Sequence, residues 1–511
     1  MNRSERRRNE KKSRSNTSKS TTRPPSAALP VVSEEVQHLL SVGKKHHASG
    51  DLSNAVKTYA QILSTDPKQP TALYLLGVAF LQSGQHDKAV EFLQNSLSVF
   101  PNNAEANNNL GVALNATAKT ADAEESYRRA IAIKPDYAAA HKNLGALFAS
   151  NNKLDAGLDC YRKTVSLVPN SAEGHKAIGD ILTKQQRYEE ALESYLKARA
   201  INPMDADVLT SAGIALQFLS RHQEALKLHS QATNFCPGED RHWTAFSDCV
   251  SGMTFSSTND DLETSLLALL EKNDLSPATL MFPIVSALRH REEFTRLLDT
   301  SDTMSGDAPS FLSDIKILTQ SQLFMRLLAR VPIADLRIER LLTALRRALL
   351  SKMSQGEDLH NEIDFIAALA QQCFINEYAY AIDEEEQGNL EDLKYRIEEL
   401  FARNQDISPY LWLLVGCYEP LKNIPWKSDI PVPENDGQIS QAYRLQVTEP
   451  ATERELSETI PQITEIQDAT SQSVRAQYEE NPYPRWVHTS RLTPKPIKDV
   501  LCAPPLSFKL D

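Results

Sequence analysis

The stretch AEANNNLGVALNATAKTADAEESYRRAIAIKP, residues 104–135, shows how the chain is built. It ends on a proline, and prolines recur at one constant spacing on both sides of it, at Pro67, Pro101, Pro135, Pro169, Pro203 and Pro237. Two series of small residues keep the same spacing: Gly43, Gly77, Gly111, Gly145, Gly179 and Gly213, and Ala55, Ala89, Ala123, Gly157, Ala191 and Ala225. Three series with one period define six copies of a unit. A unit of about 34 residues is typical of a helix–turn–helix repeat.

The residue types of the unit predict close packing between its two helices. Gly111 and Ala123 are expected where the helices cross, because a larger side chain would push them apart. Pro135 is expected to end the second helix, since proline lacks an N–H and clashes with the preceding turn. Tyrosines eight residues before a proline are expected to fill the space between neighbours; they are Tyr59, Tyr127, Tyr161 and Tyr195.

This pattern resembles the tetratricopeptide repeat (TPR) family over about residues 36–240. The resemblance implies an all-α fold in which six 34-residue repeats form a right-handed superhelix. The chain departs from the family at Gly157, at His229 in place of an aromatic residue, and at Ala212 in place of leucine, so the last repeat is expected to be a capping or transitional unit. Stacked helix pairs form a curved surface that holds another molecule rather than a catalytic pocket.

Composition predicts five segments along the chain. They are a disordered basic tail (1–33), the TPR superhelix (34–240), a further helical domain (241–418), a Pro-rich connector (419–470) and a lead-in segment (471–511). Within the helical domain, helices are predicted at Leu262–Lys272, Pro309–Arg330, Ala334–Met353, Leu359–Ile382 and Leu390–Arg403. The connector is expected to be irregular because 12 of the 27 prolines lie in residues 420–511.

Charge is distributed unevenly over the chain. The net charge is −12, yet residues 1–30 hold nine lysines and arginines against two acids. We interpret this tail as a solubilising arm, with contact to RNA, an acidic surface or a membrane face as the alternative. The acidic remainder repels nucleic acid, so no nucleic-acid partner is predicted.

The apolar runs and the cysteines of the sequence indicate in which cellular compartment the protein is expected. The longest apolar run, Tyr410–Tyr418, is too short to span a bilayer, which takes about 18 residues. The basic N-terminus has no apolar segment after it, so we expect no secretory signal. The six cysteines lie far apart without a C-x-x-C pair: Cys160, Cys236, Cys249, Cys373, Cys417 and Cys502. They are interpreted as reduced thiols, which predicts a cytoplasmic protein.

Motifs for catalysis are missing from the sequence. It contains no G-x-G, P-loop, H-E-x-x-H or G-x-S-x-G motif, and no glycine after Gly437. The adjacent His46 and His47 would point about 100° apart on a helix, which disfavours a shared metal. We therefore predict no catalytic, cofactor-binding or metal-binding residue in this chain, and whether the protein is an enzyme stays open.

Three blocks give a second resemblance, to bacterial proteins that join TPRs to a class I S-adenosylmethionine-dependent methyltransferase. The lead-in Val474–Trp486 (VRAQYEENPYPRW), the helical block Ala367–Tyr378 and the connector block Gln446–Pro450 are similar to that family. In the family, a strand and a glycine-rich adenosyl loop follow the lead-in, whereas this sequence stops at Asp511. The resemblance implies a methyltransferase whose catalytic domain is missing from this chain. S-adenosylmethionine is then expected as a cofactor only if a catalytic domain lies downstream. The alternative for residues 478–486 is an aromatic–proline anchor that packs the connector onto the helical body.

A polar stripe is the predicted binding site. The first helix of each TPR pair lines the concave face, and one period places each residue beside its predecessor. On this basis Asn108, Asn109, Lys142, Asn143 and Lys176 should form one amide–ammonium stripe. Amides bond a peptide backbone through donor and acceptor together, and lysines neutralise a carboxylate. The stripe resembles the clamp that some TPR domains use for an acidic peptide end, and also the asparagine ladder of TPR glycosyltransferases. Simple surface polarity is the alternative.

The sequence thus predicts a protein-interaction module or scaffold that binds a protein or peptide, an acidic peptide being one option, in the concave groove. The same module is expected to be the targeting half of a methyltransferase, active only if the gene continues past residue 511. A TPR glycosyltransferase relative is the weaker alternative, because residues 260–418 predict helices without alternating strands.

Overall fold

The structure is a computed structural model that describes residues 33–272, 275–303, 311–434 and 437–459. Within these ranges it is all-helical, with no strand. The chain divides into two compact units, residues 1–174 and 175–511, and each is described by itself. The predicted basic tail, apart from Ser33, and the whole lead-in segment 471–511 lie outside the described residues.

The first unit holds four of the predicted helix pairs. Its helices are α1 Glu34–Ala48, α2 Leu52–Thr65, α3 Pro70–Gln82, α4 His86–Val99, α5 Ala104–Ala116, α6 Thr120–Ile133, α7 Ala138–Ser150 and α8 Leu154–Leu167, and α9 Ala172–Lys184 begins in it. Ser33 caps α1, because its Oγ accepts the Val36 N–H at 3.3 Å. The periodic prolines do end the second helices. The residues before them in this unit have left the helical region, with φ between −129° and −132°.

The glycine series sits at a close contact between the two helices of a pair. A Cβ added at Gly111 would lie 2.6 Å from Cε1 of Tyr127, and one at Gly145 would lie 3.0 Å from Cδ2 of Tyr161. The expected close crossing is therefore confirmed. Its partner is the tyrosine eight residues before the proline in three of the four pairs of this unit, and Leu93 takes that place opposite Gly77. The ring fills the space that the missing side chain leaves.

The second unit begins with predicted pairs five and six and continues as a larger helical body. Its helices after α9 are α10 Tyr188–Ile201, α11 Ala206–Phe218, α12 His222–Phe235, α13 Asp240–Val250, α14 Asp260–Glu271, α15 Met281–Leu288, α16 Glu292–Thr303, α17 Phe311–Gln320, α18 Gln322–Arg330, α19 Leu336–Ser354, α20 Ile363–Ile375, α21 Glu384–Ala402 and α22 Pro409–Val415. One continuous core runs from Trp243 to Ala442. The described residues of the predicted helical domain, 241–418, are thus mainly helical, and their core also includes Leu421, Trp426 and Ala442 of the predicted connector.

The repeat register continues one helix further than the sequence predicts. Helix α13 starts one repeat period after α11, and its Trp243 stands one period after Leu209. The Trp243 Nε1–H donates to the Pro237 carbonyl at 2.9 Å. In the first unit, the ring Nε2 of His141 makes the equivalent contact with the Pro135 carbonyl at 3.0 Å. The first helix of a seventh repeat unit therefore follows Pro237, although the proline series that marks the repeats ends there.

The predicted helix Leu359–Ile382 is wrong at both ends. The observed α20 starts at Ile363 and stops at Ile375, and Glu377 and Tyr378 follow with φ of 54° and 57°. No glycine or proline marks this stop in the sequence. Likewise the predicted helix Pro309–Arg330 is divided at Ser321, whose Oγ accepts the Phe324 N–H at 3.2 Å and caps α18.

Helix α19 differs from expectation in one arginine. Arginines and acidic residues are rarely fully buried unless they are paired, so a helix rich in arginine favours a solvated face. Arg346 is instead fully buried, and its Nη2 lies 3.3 Å from Oε1 of Glu386, which is 2% exposed. The Tyr418 hydroxyl donates to the same carboxylate at 2.9 Å. Burial is possible because each charge has a partner.

The predicted irregular connector is partly helical. Residues 438–459 form α23 Gln438–Tyr443, a π-helical turn Arg444–Thr448 and α24 Glu449–Thr459. Four of the connector's prolines come before residue 434, so this stretch carries only Pro450 inside its helices. Pro450 cannot donate to the carbonyl four residues back, and the widened turn directly before it accommodates that loss.

None of the helices in the described ranges is long and apolar enough to cross a bilayer. The five cysteines of the described residues, Cys160, Cys236, Cys249, Cys373 and Cys417, carry no disulfide; Cys502 lies outside those residues.

Candidate functional site

The candidate site is a chain of polar side chains across the first helices of the first unit. The Asn143 Nδ2 donates to Asn108 Oδ1 at 2.9 Å, and the Asn109 Nδ2 donates to the Tyr74 hydroxyl at 3.2 Å. Asn108 and Asn109 are joined by a longer contact of 3.4 Å. These side chains therefore form one polar line across α3, α5 and α7, made of Tyr74, Asn109, Asn108 and Asn143. The structure brings together three of the five residues that the sequence assigned to the stripe.

The two inter-repeat bonds have the same geometry. In each, an asparagine donates to the residue 35 positions earlier, so Asn109 and Asn143 occupy equivalent positions one period apart. The next position of this register is Ala177 and the previous one is Leu75, neither of which has a side-chain donor. The ladder therefore has two rungs, Asn109 and Asn143.

Tyr74 was missed by the sequence reasoning. It stands one repeat period before Asn108, so extending the register backwards would have found it. Burial raises the pKa of Tyr74 to about 12, and the nearby Glu105 carboxylate contributes in the same direction. The phenol is therefore protonated at neutral pH. Because its oxygen accepts from Asn109, its own O–H is left to donate.

Both lysines of the predicted stripe have carboxylate partners. The Lys142 Nζ lies 3.0 Å from Oε2 of Glu173, and its side chain is 36% exposed. In the second unit, the Lys176 Nζ lies 3.0 Å from Oδ2 of Asp180, one helical turn away. An ammonium group that is already paired gains less from a ligand carboxylate. This pairing weighs against a clamp for an acidic peptide end.

Two of the blocks that carry the methyltransferase resemblance pack against each other in the second unit. Gln446 is fully buried, and its Nε2 donates to the carbonyls of Ala370 at 2.8 Å and Gly416 at 3.0 Å. The Tyr378 hydroxyl donates to Gln446 Oε1 at 3.4 Å. Helix α20, which forms most of the first block, is buried along its length from Phe365 to Ile375. These residues therefore have a structural role in joining residues 438–448 to the helical core.

The third block, Val474–Trp486, lies outside the described residues. Its predicted alternatives, a methyltransferase lead-in or an aromatic–proline anchor, both stay predictions.

The sequence predicts no metal-binding or cofactor-binding residue, and it disfavours a metal shared by His46 and His47. No group of three or more His, Cys, Asp or Glu side chains converges in the described ranges. His47 Nε2 lies 2.9 Å from Gln82 Oε1, and His46 Nδ1 lies 3.5 Å from Asp51 Oδ2. These neighbouring histidines thus have separate partners.

Comparison with known proteins identifies repeats in both units. Residues 46–111 and 80–147 match a tetratricopeptide repeat model, and residues 179–218 match a TPR repeat model. A search of curated proteins found no match.

Three solved structures illustrate the likeness. The crystal structure of MamA protein is 27% identical, with a TM-score of 0.31, over 34% of this chain and 95% of that one. Pseudomonas aeruginosa pilF is 19% identical, with a TM-score of 0.38, over 42% of this chain and 96% of that one. YrrB, described as a TPR protein with an unusual peptide-binding site, is 16% identical, with a TM-score of 0.34, over 37% of this chain and 98% of that one.

The constant repeat period and the consecutive helix pairs agree with the two family-model matches. Residues 46–147 and 179–218 of this chain are therefore tetratricopeptide repeats.

Proposed function

We propose that the chain is a protein-interaction module whose first unit holds an extended segment of a partner protein. The observation that carries this proposal is the polar line of Tyr74, Asn109, Asn108 and Asn143 across three helix pairs. An asparagine amide has two N–H donors and an acceptor oxygen, so one internal bond does not exhaust it. Asn109 and Asn143 are both half-buried, which leaves part of each amide accessible to a peptide backbone.

A peptide array screened with the intact chain tests the proposal. The double variant Asn109→Ala/Asn143→Ala should lower the affinity for array binders by about tenfold, which corresponds to roughly 1.4 kcal/mol. Asn95→Ala is the matched control, because Asn95 is an exposed amide on the second helix α4. Equal affinity in the wild type and the double variant would reject the polar line as the binding site.

Lys142 supports a narrower proposal about ligand charge. If the partner presents a carboxylate to Lys142, Glu173→Gln should release the ammonium and strengthen binding of acidic peptides. Because Lys142 is already paired with Glu173, we expect the ligand to present no carboxylate there. Glu173→Gln should then change the affinity for neutral array binders by less than threefold. Lys176 lies in the second unit, so the contribution of its side chain to binding is measured separately with Lys176→Ala in the same assay.

We further propose that the module is the targeting half of an S-adenosylmethionine-dependent methyltransferase in the cytoplasm. This finer proposal is supported by the resemblance of Ala367–Tyr378, Gln446–Pro450 and Val474–Trp486, and the unpaired thiols of the described residues agree with a reducing compartment. Calorimetric titration with S-adenosylmethionine should give no heat with this chain and a saturable signal with an in-frame longer product. A longer product that fails to bind the cofactor would end the methyltransferase proposal. A glycosyltransferase role has less support, because the described residues hold no strand for a doubly wound sugar-nucleotide domain.

A further inference from the structure

The second unit contains a cavity of about 600 Å³ bounded by α12, α13 and α14. It arises where the repeat geometry changes. Three residues, 219–221, join α11 to α12, whereas nine residues, 251–259, join α13 to α14. The longer connection places residues 255–259 along one wall of the cavity.

The walls of this cavity are fixed by hydrogen bonds within the second unit. The Phe255 N–H donates to Ser286 Oγ at 2.7 Å, and its carbonyl lies 2.7 Å from Nε2 of His290. On the facing side, the Ser230 and Ser265 hydroxyls bridge α12 and α14 at 3.0 Å. A ligand would therefore enter a preformed site, which lowers the ordering cost of binding.

The lining combines an apolar floor with neutral polar walls. Leu226 and Phe255 are half-buried apolar residues of the lining. Amides and hydroxyls make up much of the remaining lining; examples are Gln223 and Asn234 on α12 and Ser257 in the connection between α13 and α14. The two charges of the lining, Lys227 and Asp261, are of opposite sign, so the site as a whole is neutral.

We propose that this cavity binds a short uncharged peptide segment of a partner protein, with one apolar side chain on Leu226 and Phe255. Amide and hydroxyl groups on both walls match the donors and acceptors of a peptide backbone. The volume is within the range of about 300–1,000 Å³ that is usual for ligand sites. This second site is independent of the polar line in the first unit.

The aromatic residues of the cavity favour a peptide over a carbohydrate. A sugar ring needs an open aromatic face, but the Lys272 ammonium lies 4.6 Å from the ring centroid of Trp243. The Phe246 side chain is 1% exposed. Neither of these two rings offers a stacking platform. The third aromatic residue of the lining, Phe255, is half-buried and exposes only part of its surface, which suits contact with an apolar side chain.

The test uses the intact chain and an array of capped hexapeptides whose two central residues are drawn from Ala, Ser, Leu and Phe, together with peptides that carry a central pair of Glu or of Lys. Affinities of the best binders are measured by fluorescence polarisation for the wild type and two variants. Ser257→Trp fills the cavity from its exposed rim and should weaken binding at least tenfold. Asn234→Ala removes one exposed wall amide and should weaken it about threefold.

The controls are Ser98→Trp and Asn95→Ala, which make the same changes at exposed positions of α4 in the first unit. Binding that both cavity variants weaken and both controls leave unchanged would support the proposal. It would be overturned if no peptide bound, if Ser257→Trp had no effect, or if central Glu or Lys pairs bound as well as Leu and Phe. Displacement of the peptide by cellohexaose would overturn it too, because the occupant would then be a carbohydrate.

Discussion

At the residue scale, the glycine series shows how a single missing side chain determines a helix crossing. Gly111→Ala should destabilise the protein by about 1–3 kcal/mol, because the new Cβ would lie 2.6 Å from the Tyr127 ring. Chemical denaturation followed by circular dichroism measures the change.

The control for this substitution has the opposite expected sign. Gly388 lies in α21 with nothing within 4 Å of an added Cβ. Gly388→Ala should therefore stabilise the protein by up to about 1 kcal/mol through helix propensity. If both variants lost stability equally, a close crossing at Gly111 would not be the cause.

His229 takes the place that a tyrosine holds in four of the other repeats. It is fully buried, and neither ring nitrogen has a hydrogen-bond partner among the described residues. Burial lowers the pKa of His229 to about 4 from its ordinary value of 6.5, and the neighbouring His242 acts in the same direction. The unfolded chain therefore binds more protons than the folded chain between these two values.

Stability from His229 is thus fully present above pH 6.5 and is lost as the pH falls toward 4. Between pH 7.5 and pH 5 the loss should be roughly 2 kcal/mol. His229→Tyr restores the residue of the other repeats and should remove this part of the pH dependence. Urea midpoints at the two pH values measure it. His242 has a depressed pKa and remains in the variant, so its smaller contribution is the background. An unchanged pH slope in His229→Tyr would contradict the assignment.

At the element scale, the turns inside the repeats place one residue in the left-handed region. Gly50 and Gly84 occupy this position in repeats one and two, whereas Ala118, Asn152, Gln186 and Ser220 occupy it in the next four, with φ near 60°. Such a conformation costs a non-glycine residue about 1–2 kcal/mol. Ala118→Gly should therefore raise the free energy of unfolding, by about 1 kcal/mol after the entropy of the unfolded chain is included.

Ala116→Gly is the matched control, two residues earlier at the last residue of α5. There glycine lowers helix propensity and should cost about 1 kcal/mol. Thermal unfolding of the two variants should shift in opposite directions. If Ala118→Gly instead lowered the free energy of unfolding, the left-handed backbone conformation would not be destabilising for Ala118.

The repeats were predictable because three series of local signals coincide in them. The prolines, the glycines and the small residues from Ala55 to Ala225 each constrain a loop or a crossing, so helix pairs one to six follow from spacing alone. The stop of α20 was not predictable, since Glu377 and Tyr378 adopt positive φ without glycine and the Tyr378 hydroxyl contacts the distant Gln446. Contacts over such separations override local propensity.

The candidate site, too, was predictable from the sequence only in part. The two asparagine rungs follow from the repeat period, and so does Tyr74 once the register is extended backwards. The partner of Lys142 does not, because Glu173 lies in the following repeat outside that register. Arg346 was hidden for a different reason: helical periodicity assigns an arginine to a solvated face, whereas here Glu386 from another helix pairs with it inside the core.

At the scale of the whole molecule, the distribution of tryptophan allows the second unit to be followed alone. All four tryptophans lie after residue 242, and Trp243, Trp412 and Trp426 belong to the continuous core of the second unit. Tryptophan fluorescence therefore reports the unfolding of that core and not of residues 1–174.

The buried charge cluster gives the sharpest prediction for this core. Arg346→Ala should lower the free energy of unfolding by about 3–5 kcal/mol, because it removes the fully buried arginine that faces the Glu386 carboxylate and leaves that acid only the half-exposed Arg347 as a cationic partner. The urea midpoint followed by tryptophan fluorescence should fall accordingly. Arg347 contacts the same carboxylate at 3.2 Å but its side chain is 43% exposed, so Arg347→Ala should cost only about 1 kcal/mol.

A double variant separates charge from packing at this position. Arg346→Met with Glu386→Leu removes both buried charges and keeps much of their volume, so it should recover most of the stability that Arg346→Ala loses. If the double variant is as unstable as Arg346→Ala, the hydrogen bonds that these side chains make with Ala381 and Tyr418 stabilise the core more than the charge pair does. If Arg347→Ala is as costly as Arg346→Ala, burial of Arg346 is not what makes it important, because the two arginines share one acid and differ chiefly in exposure.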